Sequence, residues 1–265
     1  GERTRVVAIQ RSRGYDWRAS FSVAEIGEMA RRVKAVKSDC IVFVDNCYGE
    51  FTEETEPTEA GADLMAGSLI KNPGGGLALS GGYICGRADL VEKAAGRLTA
   101  PGIGGEVGAT AGMQRWMFQG FFLAPHAVGQ AVKGSIFAAA MLEELGFETN
   151  PRWNEPRTDL IQAVRFDSAD KLIAFVQGIQ QAAAVDAHAV PEPGDMPGYE
   201  HPVIMAAGAF VQGGSLELSA DAPIREPYIA YMQGGLTYAH AKLGVLSALT
   251  RLAERSNIVI KPNIP

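Results

Sequence analysis

Short apolar segments alternate with helical patterns over the first seventy residues, and this alternation is the strongest constraint on the fold. The strand patterns occupy residues 6–10, 40–44 and 62–66, and the helical pattern occupies residues 22–36. Ser22 followed three residues later by Glu25 is a capping box, which marks the start of the helix. Strands that alternate with helices favour an α/β layer with a largely parallel sheet.

A glycine-rich stretch, residues 74–86, follows this alternation. It holds two short apolar segments, 77–80 and 83–85, on either side of Gly81-Gly82. Two short apolar segments around a pair of glycines predict strands joined by a tight turn. We therefore expect a hairpin here.

A proline separates the first part of the chain from the second. A helical stretch ends near Phe122, and Pro125 is well placed to open a long helix, with Gly146 just after its end. We predict three parts: part of a large domain over residues 1–124, a long connecting helix over 125–149, and a small α+β domain over 150–265.

The residues after Gly146 show strand and helix patterns in a different order. Strand patterns lie at residues 160–166, 203–210 and 215–220, and helical patterns lie at residues 168–184 and 228–254. Strands and helices that do not alternate regularly favour an α+β arrangement.

Composition and charge narrow the classes of function. The chain of 265 residues has a net charge of -6 and no cluster of Lys and Arg, which argues against nucleic acid or an anionic membrane as partner and favours a small molecule. Cys40, Cys47 and Cys85 form no CxxC pair, and their odd number favours a reducing cytoplasm. The four histidines are scattered, so no metal site is expected. The longest apolar stretch, residues 128–145, is interrupted by charged residues and does not read as a membrane span.

A lysine among small residues and an acid at a strand end form the most informative pair. Lys71 follows Ser68 by three residues and precedes the glycines 74–76, and Asp45 closes the apolar strand 40–44. An enzyme that uses pyridoxal phosphate (PLP) needs an amine for a Schiff base and an anion that keeps the pyridinium nitrogen protonated. Such an amine should be partly desolvated, so we expect its pKa to be lowered. The alternatives are a solvated loop lysine and an Asx turn or helix cap at the acid.

Three further residues are candidates for binding. Ser68 could donate its hydroxyl to the cofactor phosphate, and Tyr48 could do the same or contact the cofactor ring. Either residue could instead simply pack. Arg225 could grip the α-carboxylate of an amino-acid substrate with two hydrogen bonds, or it could form a surface pair with Glu226.

Several segments resemble one family of PLP enzymes, the aluminium-resistance, methionine gamma-lyase-like family. They are Val-Asp-Asn-Cys-Tyr-Gly-Glu-Phe at 44–51, Gly-Ser-Leu-Ile-Lys-Asn-Pro-Gly-Gly-Gly at 67–76, Gln-Arg-Ser-Arg-Gly-Tyr at 10–15 and Ser-Ala-Asp-Ala-Pro-Ile-Arg-Glu-Pro-Tyr at 219–228. The resemblance extends along essentially the whole chain. More distantly, the chain is similar to the enzymes of cysteine and methionine metabolism that share PLP fold type I.

The resemblance implies roles for individual residues. Lys71 would carry the Schiff base with pyridoxal phosphate, Asp45 would pair with the pyridinium, and Ser68 would help to bind the phosphate. Ile70 and Asn72 replace the residues that commonly flank the lysine in the better-known lyases. The resemblance therefore does not fix which residues contact the cofactor phosphate and the substrate.

The family carries a further N-terminal region with a glycine-rich phosphate turn and an aromatic residue that stacks on the ring. This chain lacks both, so we interpret it as the C-terminal part of a longer protein. We expect it to form a homodimer or homotetramer or to need the missing region, and to show little activity alone.

The function predicted from these resemblances is a carbon-sulfur lyase that acts on a sulfur-containing amino acid by β- or γ-elimination. One alternative is a catalytically incompetent fragment that keeps only the fold and an assembly surface. Another is a hydrolase that uses Ser80 or Ser215, although no G-x-S-x-G elbow is present.

Overall fold

The computed structural model describes residues 1–108 and 110–256, which include two β-sheets. The first sheet has the strand order β1-β2-β3-β4. Its strands are β1 (Val6–Gln10), β2 (Ile41–Asp45), β3 (Leu64–Ser68) and β4 (Gly82–Gly86). The first three strands run parallel, and β4 runs antiparallel to β3. The expected α/β layer with a largely parallel sheet is confirmed.

Helix α1 (Val23–Val36) covers this sheet and starts where the capping box predicts. Ser22 Oγ accepts from the backbone N of Glu25 at 3.2 Å, and Glu25 Oε2 accepts from the backbone N of Ser22 at 2.8 Å. Ile26 of α1 is buried with Val44 of β2 in one apolar cluster. Burial of this face holds the strands in place. Helix α2 (Ala88–Leu98) follows β4.

The hairpin expected in the glycine-rich stretch is wrong. The strand expected at 83–85 is present as β4, but residues 77–80 form no strand, and β4 pairs with β3, with Gly67 opposite Tyr83. The strand expected at 62–66 is β3, two residues further on. The physical reason is that β4 takes β3 as its antiparallel partner, and the connection between the two strands includes a short 3-10 turn, Asn72–Gly74, which packs on helix α3 (Gln114–Glu144).

Helix α3 (Gln114–Glu144) is one continuous helix of 31 residues that passes through Pro125. The prediction that Pro125 opens a helix is therefore wrong, and the two expected helices are one. An interior proline costs roughly 3 kcal/mol, and burial of Ala124 and Val128 on either side offsets this cost. Gly146 does follow the helix end, with φ +84, and the backbone N of Phe147 donates to Leu142 O at 3.0 Å in a Schellman motif.

The second sheet is antiparallel and has the order β5-β6-β9-β8-β7. Helix α4 (Ala169–Gln181) packs on it, and helix α5 (Tyr238–Ser256) packs against α4 and α3. Its strands are β5 (Glu148–Asn150), β6 (Gln162–Arg165), β7 (Val203–Ala206), β8 (Ser219–Pro223) and β9 (Ile229–Gln233). Phe175 of α4 and Val245 of α5 share a buried cluster with Met232 of β9.

Two expectations for this part of the chain are wrong. The helix expected over 228–254 begins only at Tyr238, because residues 229–233 form the central strand β9, which is buried on both faces. The strand expected at 215–220 lies at Ser219–Pro223. The expected strands at 160–166 and 203–210 are present but shorter, and the short β5 was not expected. The domain boundaries at residues 124 and 150 stay a prediction.

Two kinds of feature are absent from the described residues. Within residues 1–108 and 110–256, no helix is long and apolar enough to cross a membrane. The same residues hold no group of three or more His, Cys, Asp or Glu side chains that could bind a metal ion.

Candidate active site

The three parallel strands end side by side, and the candidate site lies at their carboxyl ends. In register, Gln10 of β1 is opposite Asp45 of β2, and Asp45 is opposite Ala66 of β3, two residues before the end of that strand. Carboxyl ends of parallel strands are where open α/β sheets usually bind ligands. A cavity of about 80 Å³ opens there, and its walls are Gln10, Ser12, Gly14, Asp45, Cys47, Tyr48 and Lys71.

Lys71 is half-buried in this cavity, and its ammonium lies over the ring of Tyr48. The distance from Nζ to the ring centroid is 4.4 Å, which is a cation–π contact. Burial alone would lower the pKa of Lys71, but Tyr48, Cys47 and Asp45 outweigh it and leave the pKa raised. The expectation of a lowered pKa is therefore wrong, because three groups that can carry negative charge surround the amine.

Asp45 lines the same cavity and also makes an Asx turn. Its Oδ1 accepts from the backbone N of Cys47 at 3.1 Å, and the residue is exposed. The turn and the position in the cavity are compatible, since a carboxylate has more than one acceptor site. The thiol of Cys47 is half-buried, and burial raises its pKa to about 11, so it is a neutral group beside Lys71.

Tyr48 connects the cavity to the second sheet. Its backbone has φ 72, a left-handed conformation that costs a bulky residue of order 1–3 kcal/mol. Its ring packs against the buried cluster that contains Ile161 and Tyr231. Burial raises the pKa of Tyr48, while Lys71 and Ser215 act in the opposite direction. The strained backbone therefore fixes this ring between the lysine and the second sheet.

The glycines after Lys71 allow the chain to approach α3 closely. Gly75 has φ +56, and a Cβ at this position would collide with the carbonyl of Gly120 in α3. A Cβ at Gly120 would in turn collide with the carbonyl of Gly74. Glycine is required on both sides of this contact, so the run 74–76 positions the turn that carries Lys71.

Comparison with known proteins shows the family of this chain. A family model described as methionine gamma-lyase matches residues 1–253. The chain belongs to this family.

Three relatives show how far the similarity extends. A solved structure of a candidate cystathionine beta-lyase involved in aluminium resistance, from Listeria innocua, is 59% identical with a TM-score of 0.90 and covers 94% of this chain and 61% of that one. A carbon-sulfur lyase involved in aluminium resistance from Clostridium novyi is 53% identical with a TM-score of 0.90, over 95% and 58% of the two chains. The YnbB protein of Bacillus subtilis is 58% identical over 256 residues, which are 97% of this chain and 61% of that protein. This chain thus spans about three fifths of the length of these family members.

The other two predicted site residues lie outside the lysine cavity. Ser68 ends β3, and the backbone N of Lys71 donates to its carbonyl at 3.3 Å, but its side chain does not line the cavity walls. Arg225 is exposed and lines a neighbouring cavity of about 190 Å³ together with Tyr15 and Tyr231. Its Nη2 donates to Tyr15 O at 3.2 Å, where a surface pair with Glu226 was the alternative. The structure therefore brings together Lys71, Asp45 and Tyr48, with Arg225 in the adjacent space.

A buried ionic cluster beneath the site was missed by sequence reasoning. Arg11 is fully buried and donates to Asn46 Oδ1 at 2.8 Å, Glu53 Oε2 at 2.7 Å and Glu56 Oε2 at 3.2 Å. The sequence does contain a signal for this cluster: an arginine directly follows one parallel strand, and a run of glutamates follows the next parallel strand. The cluster holds the loop after β2, which carries Cys47 and Tyr48.

Glu50 belongs to the same loop and is nearly inaccessible to solvent. Its Oε1 accepts from the Tyr83 hydroxyl at 2.9 Å, and its Oε2 has no hydrogen-bond partner among the described residues. Its carbonyl accepts from Asn72 Nδ2 at 3.0 Å, directly beside Lys71. Burial raises the pKa of Glu50 from 4.5 to about 8, so the carboxyl is protonated at neutral pH.

We expect this proton to make stability pH-dependent. Between about pH 4.5 and 8 the folded state keeps a proton that the unfolded state releases, so the free energy of unfolding should fall as pH rises, by up to about 1.4 kcal/mol per pH unit. Glu50→Gln should flatten this dependence because the amide does not titrate. Urea unfolding at pH 5, 6, 7 and 8 measures the slope, and exposed Glu92→Gln is the control. An unaltered slope in Glu50→Gln would contradict the assignment.

Proposed function

We propose that this chain is the lysine-bearing part of a PLP-dependent carbon-sulfur lyase of fold type I that acts on a sulfur-containing amino acid by β- or γ-elimination. The observation that carries the proposal is the position of the Lys71 amine and the Asp45 carboxylate in one cavity at the carboxyl ends of parallel strands. The names of the relatives support the reaction class, and the whole protein is the unit to which the activity belongs.

The residues present fit the cofactor. Pyridoxal phosphate supplies an electron sink when it is bound. Lys71 Nζ is the amine that would attach to its aldehyde, and the Asp45 carboxylate would hold the proton on its ring nitrogen. Ser68, at the end of the next strand, would donate to the phosphate. Asp45 is exposed, so its carboxylate is accessible from solvent.

Lys71 also has the second chemical role in this proposal. Once the amine of the substrate has displaced it, Lys71 Nζ would take up the α-proton, and the thiol would then leave. Its raised pKa means that the resting side chain is an ammonium and must lose a proton before it can act. Tyr48 holds the ammonium form over its ring, and this attraction weakens when Nζ loses its charge.

The alternative, a catalytically incompetent fragment, is tested by measuring whether the protein binds the cofactor. Purified protein incubated with pyridoxal phosphate should show the absorbance band of the lysine-bound cofactor. If the complete protein shows no such band and releases no thiol, the lyase proposal is wrong and the incompetent fragment remains. The hydrolase alternative has no support in the geometry: Ser80 is exposed, and in residues 1–108 and 110–256 no histidine or acid is hydrogen-bonded to Ser215 Oγ to activate it.

We also propose that the protein acts in the cytoplasm as a homodimer or homotetramer. An exposed aromatic run on α3 supports assembly. Phe118 is 74% exposed and Phe122 is 82% exposed, with Trp116 and Phe121 beside them. Exposed apolar surface of this kind usually marks a contact with another chain or segment.

Arg225 provides a test of substrate binding. In the complete, cofactor-loaded protein, Arg225→Lys should raise KM for the sulfur amino acid roughly tenfold, about 1.4 kcal/mol, because an ammonium cannot reproduce the two-pronged contact of a guanidinium. Cofactor affinity should not change. Steady-state kinetics measure the effect, and Arg31→Lys on the exposed face of α1 is the matched control. If KM stays at the wild-type value for every sulfur amino acid tested, Arg225 does not bind substrate.

A further inference from the structure

Glu50 contacts three segments around the turn that carries Lys71. Its Oε1 accepts from the Tyr83 hydroxyl of β4 at 2.9 Å, and a Cβ at Gly67 of β3 would collide with the same oxygen. Asn72, which directly follows Lys71 and is fully buried, donates from Nδ2 to the Glu50 carbonyl at 3.0 Å. Glu50 therefore connects β3, β4 and the lysine turn.

Two buried oxygens in this region have no hydrogen-bond partner. They are Glu50 Oε2 and Asn72 Oδ1, and neither accepts from a donor within residues 1–108 and 110–256. The orientation of the Asn72 amide is fixed, because exchanging its N and O would set two oxygens against each other at the Glu50 carbonyl. Two bare acceptors are costly when they are buried, and one proton between them removes the cost for both.

The charges around Glu50 favour a protonated carboxyl. Arg11, in the loop after β1, attracts a negative charge at Glu50, but its guanidinium is already paired with two other glutamates. One of these, Glu56 in the loop after β2, repels a second carboxylate. Cys47 in the same loop and Tyr83 of β4 are the neighbouring groups that titrate, and burial raises the pKa of both, so neither supplies a positive charge.

We propose that Glu50 Oε2 carries a proton and donates it to Asn72 Oδ1, and that this bond holds the turn on which Lys71 stands. The Asn72 side chain is then bound at both of its polar atoms, and α3 packs against the turn Asn72–Gly74. Lys71, one residue before Asn72, places its ammonium over the Tyr48 ring from this turn. Glu50 is thus a positioning residue. The inference goes beyond the proposed function, because it concerns the amine before any cofactor binds.

Loss of this proton should release the lysine turn. A carboxylate at Glu50 would face the Asn72 oxygen with no donor between them, and the two side chains would separate. Burial raises the pKa of Glu50 to about 8, so the change should fall between roughly pH 7 and 9. Glu50→Gln should keep both bonds at every pH, because its amide donates to Asn72 as the protonated carboxyl does and its oxygen still accepts from Tyr83.

Labelling of Lys71 with acetic anhydride tests the proposal in the complete protein before cofactor is added. Brief labelling at pH 6.5 and at pH 9.5, followed by mass spectrometry, gives the labelled fraction at Lys71. Division by the fraction at exposed Lys93 of α2 removes the effect of pH that is common to amines. In the wild type this ratio should rise roughly threefold or more, because local opening makes the half-buried amine accessible. In Glu50→Gln it should not rise.

Two further variants complete the test. Glu92→Gln makes the same chemical change on exposed α2 and should follow the wild type. Asn72→Ala removes the acceptor, so its ratio should be high at both pH values; if it does not fold, Glu50→Gln decides alone. A ratio that rises in Glu50→Gln as in the wild type, a wild-type ratio that does not change, or a low ratio in folded Asn72→Ala would overturn the proposal. The labelling needs neither cofactor nor turnover, so its result is independent of the lyase proposal.

Discussion

Replacing Lys71 with alanine in the complete protein should abolish turnover of sulfur amino acids and, at the same time, covalent attachment of pyridoxal phosphate. Of the residues that line the cavity, Lys71 alone carries an amine. No neighbour can form the same bond, so both losses should be total. Thiol release measures turnover, and borohydride reduction followed by mass spectrometry of the peptide around residue 71 measures attachment.

Lys93→Ala on α2 is the control, because it removes an exposed lysine far along the chain from the cavity. It should keep both activity and attachment. A borohydride-stable adduct that persists in Lys71→Ala would show that another lysine is the reactive one.

Asp45→Asn should keep the cofactor bound but slow proton abstraction by roughly a hundredfold or more, because a neutral amide cannot keep the ring nitrogen protonated and the ring then withdraws less charge. The substitution is selective because asparagine can still accept from the backbone N of Cys47 and keep the Asx turn. Only the charge is removed. Single-turnover kinetics with a substrate deuterated at the α-carbon isolate this step.

Asp45→Ala completes the comparison because it removes the turn as well as the charge. If Asp45→Asn is nearly as fast as the wild type and only Asp45→Ala is impaired, then the residue acts as a turn and not as the partner of the ring nitrogen.

The proximity of Lys71 and Asp45 could be predicted from the sequence because each residue lies at or shortly after the end of a strand. Parallel strands deliver whatever follows them to one edge, so a strand pattern is enough to place these side chains together. The capping box at Ser22 is local in the same way. Each of these features depends on a few neighbouring residues.

Features that depend on distant packing could not be anticipated. Pro125 is tolerated inside α3 because its flanking residues are buried, and nothing near it in the sequence shows that burial. Asp221 and Gln233 meet only through the register of β8 with β9, and β9 reads as the start of a helix. The pKa of Lys71 likewise depends on three groups that the fold brings around it.

The long helix α3 has a mechanical consequence for the site. Its first half is locked to the lysine turn by the contact of Gly120 with Gly74 and Gly75, and its second half packs against β6 and α5. A 31-residue helix measures about 46 Å at 1.5 Å per residue. Because one continuous helix contacts both, we expect a displacement of the second sheet to be transmitted to the turn that carries Lys71.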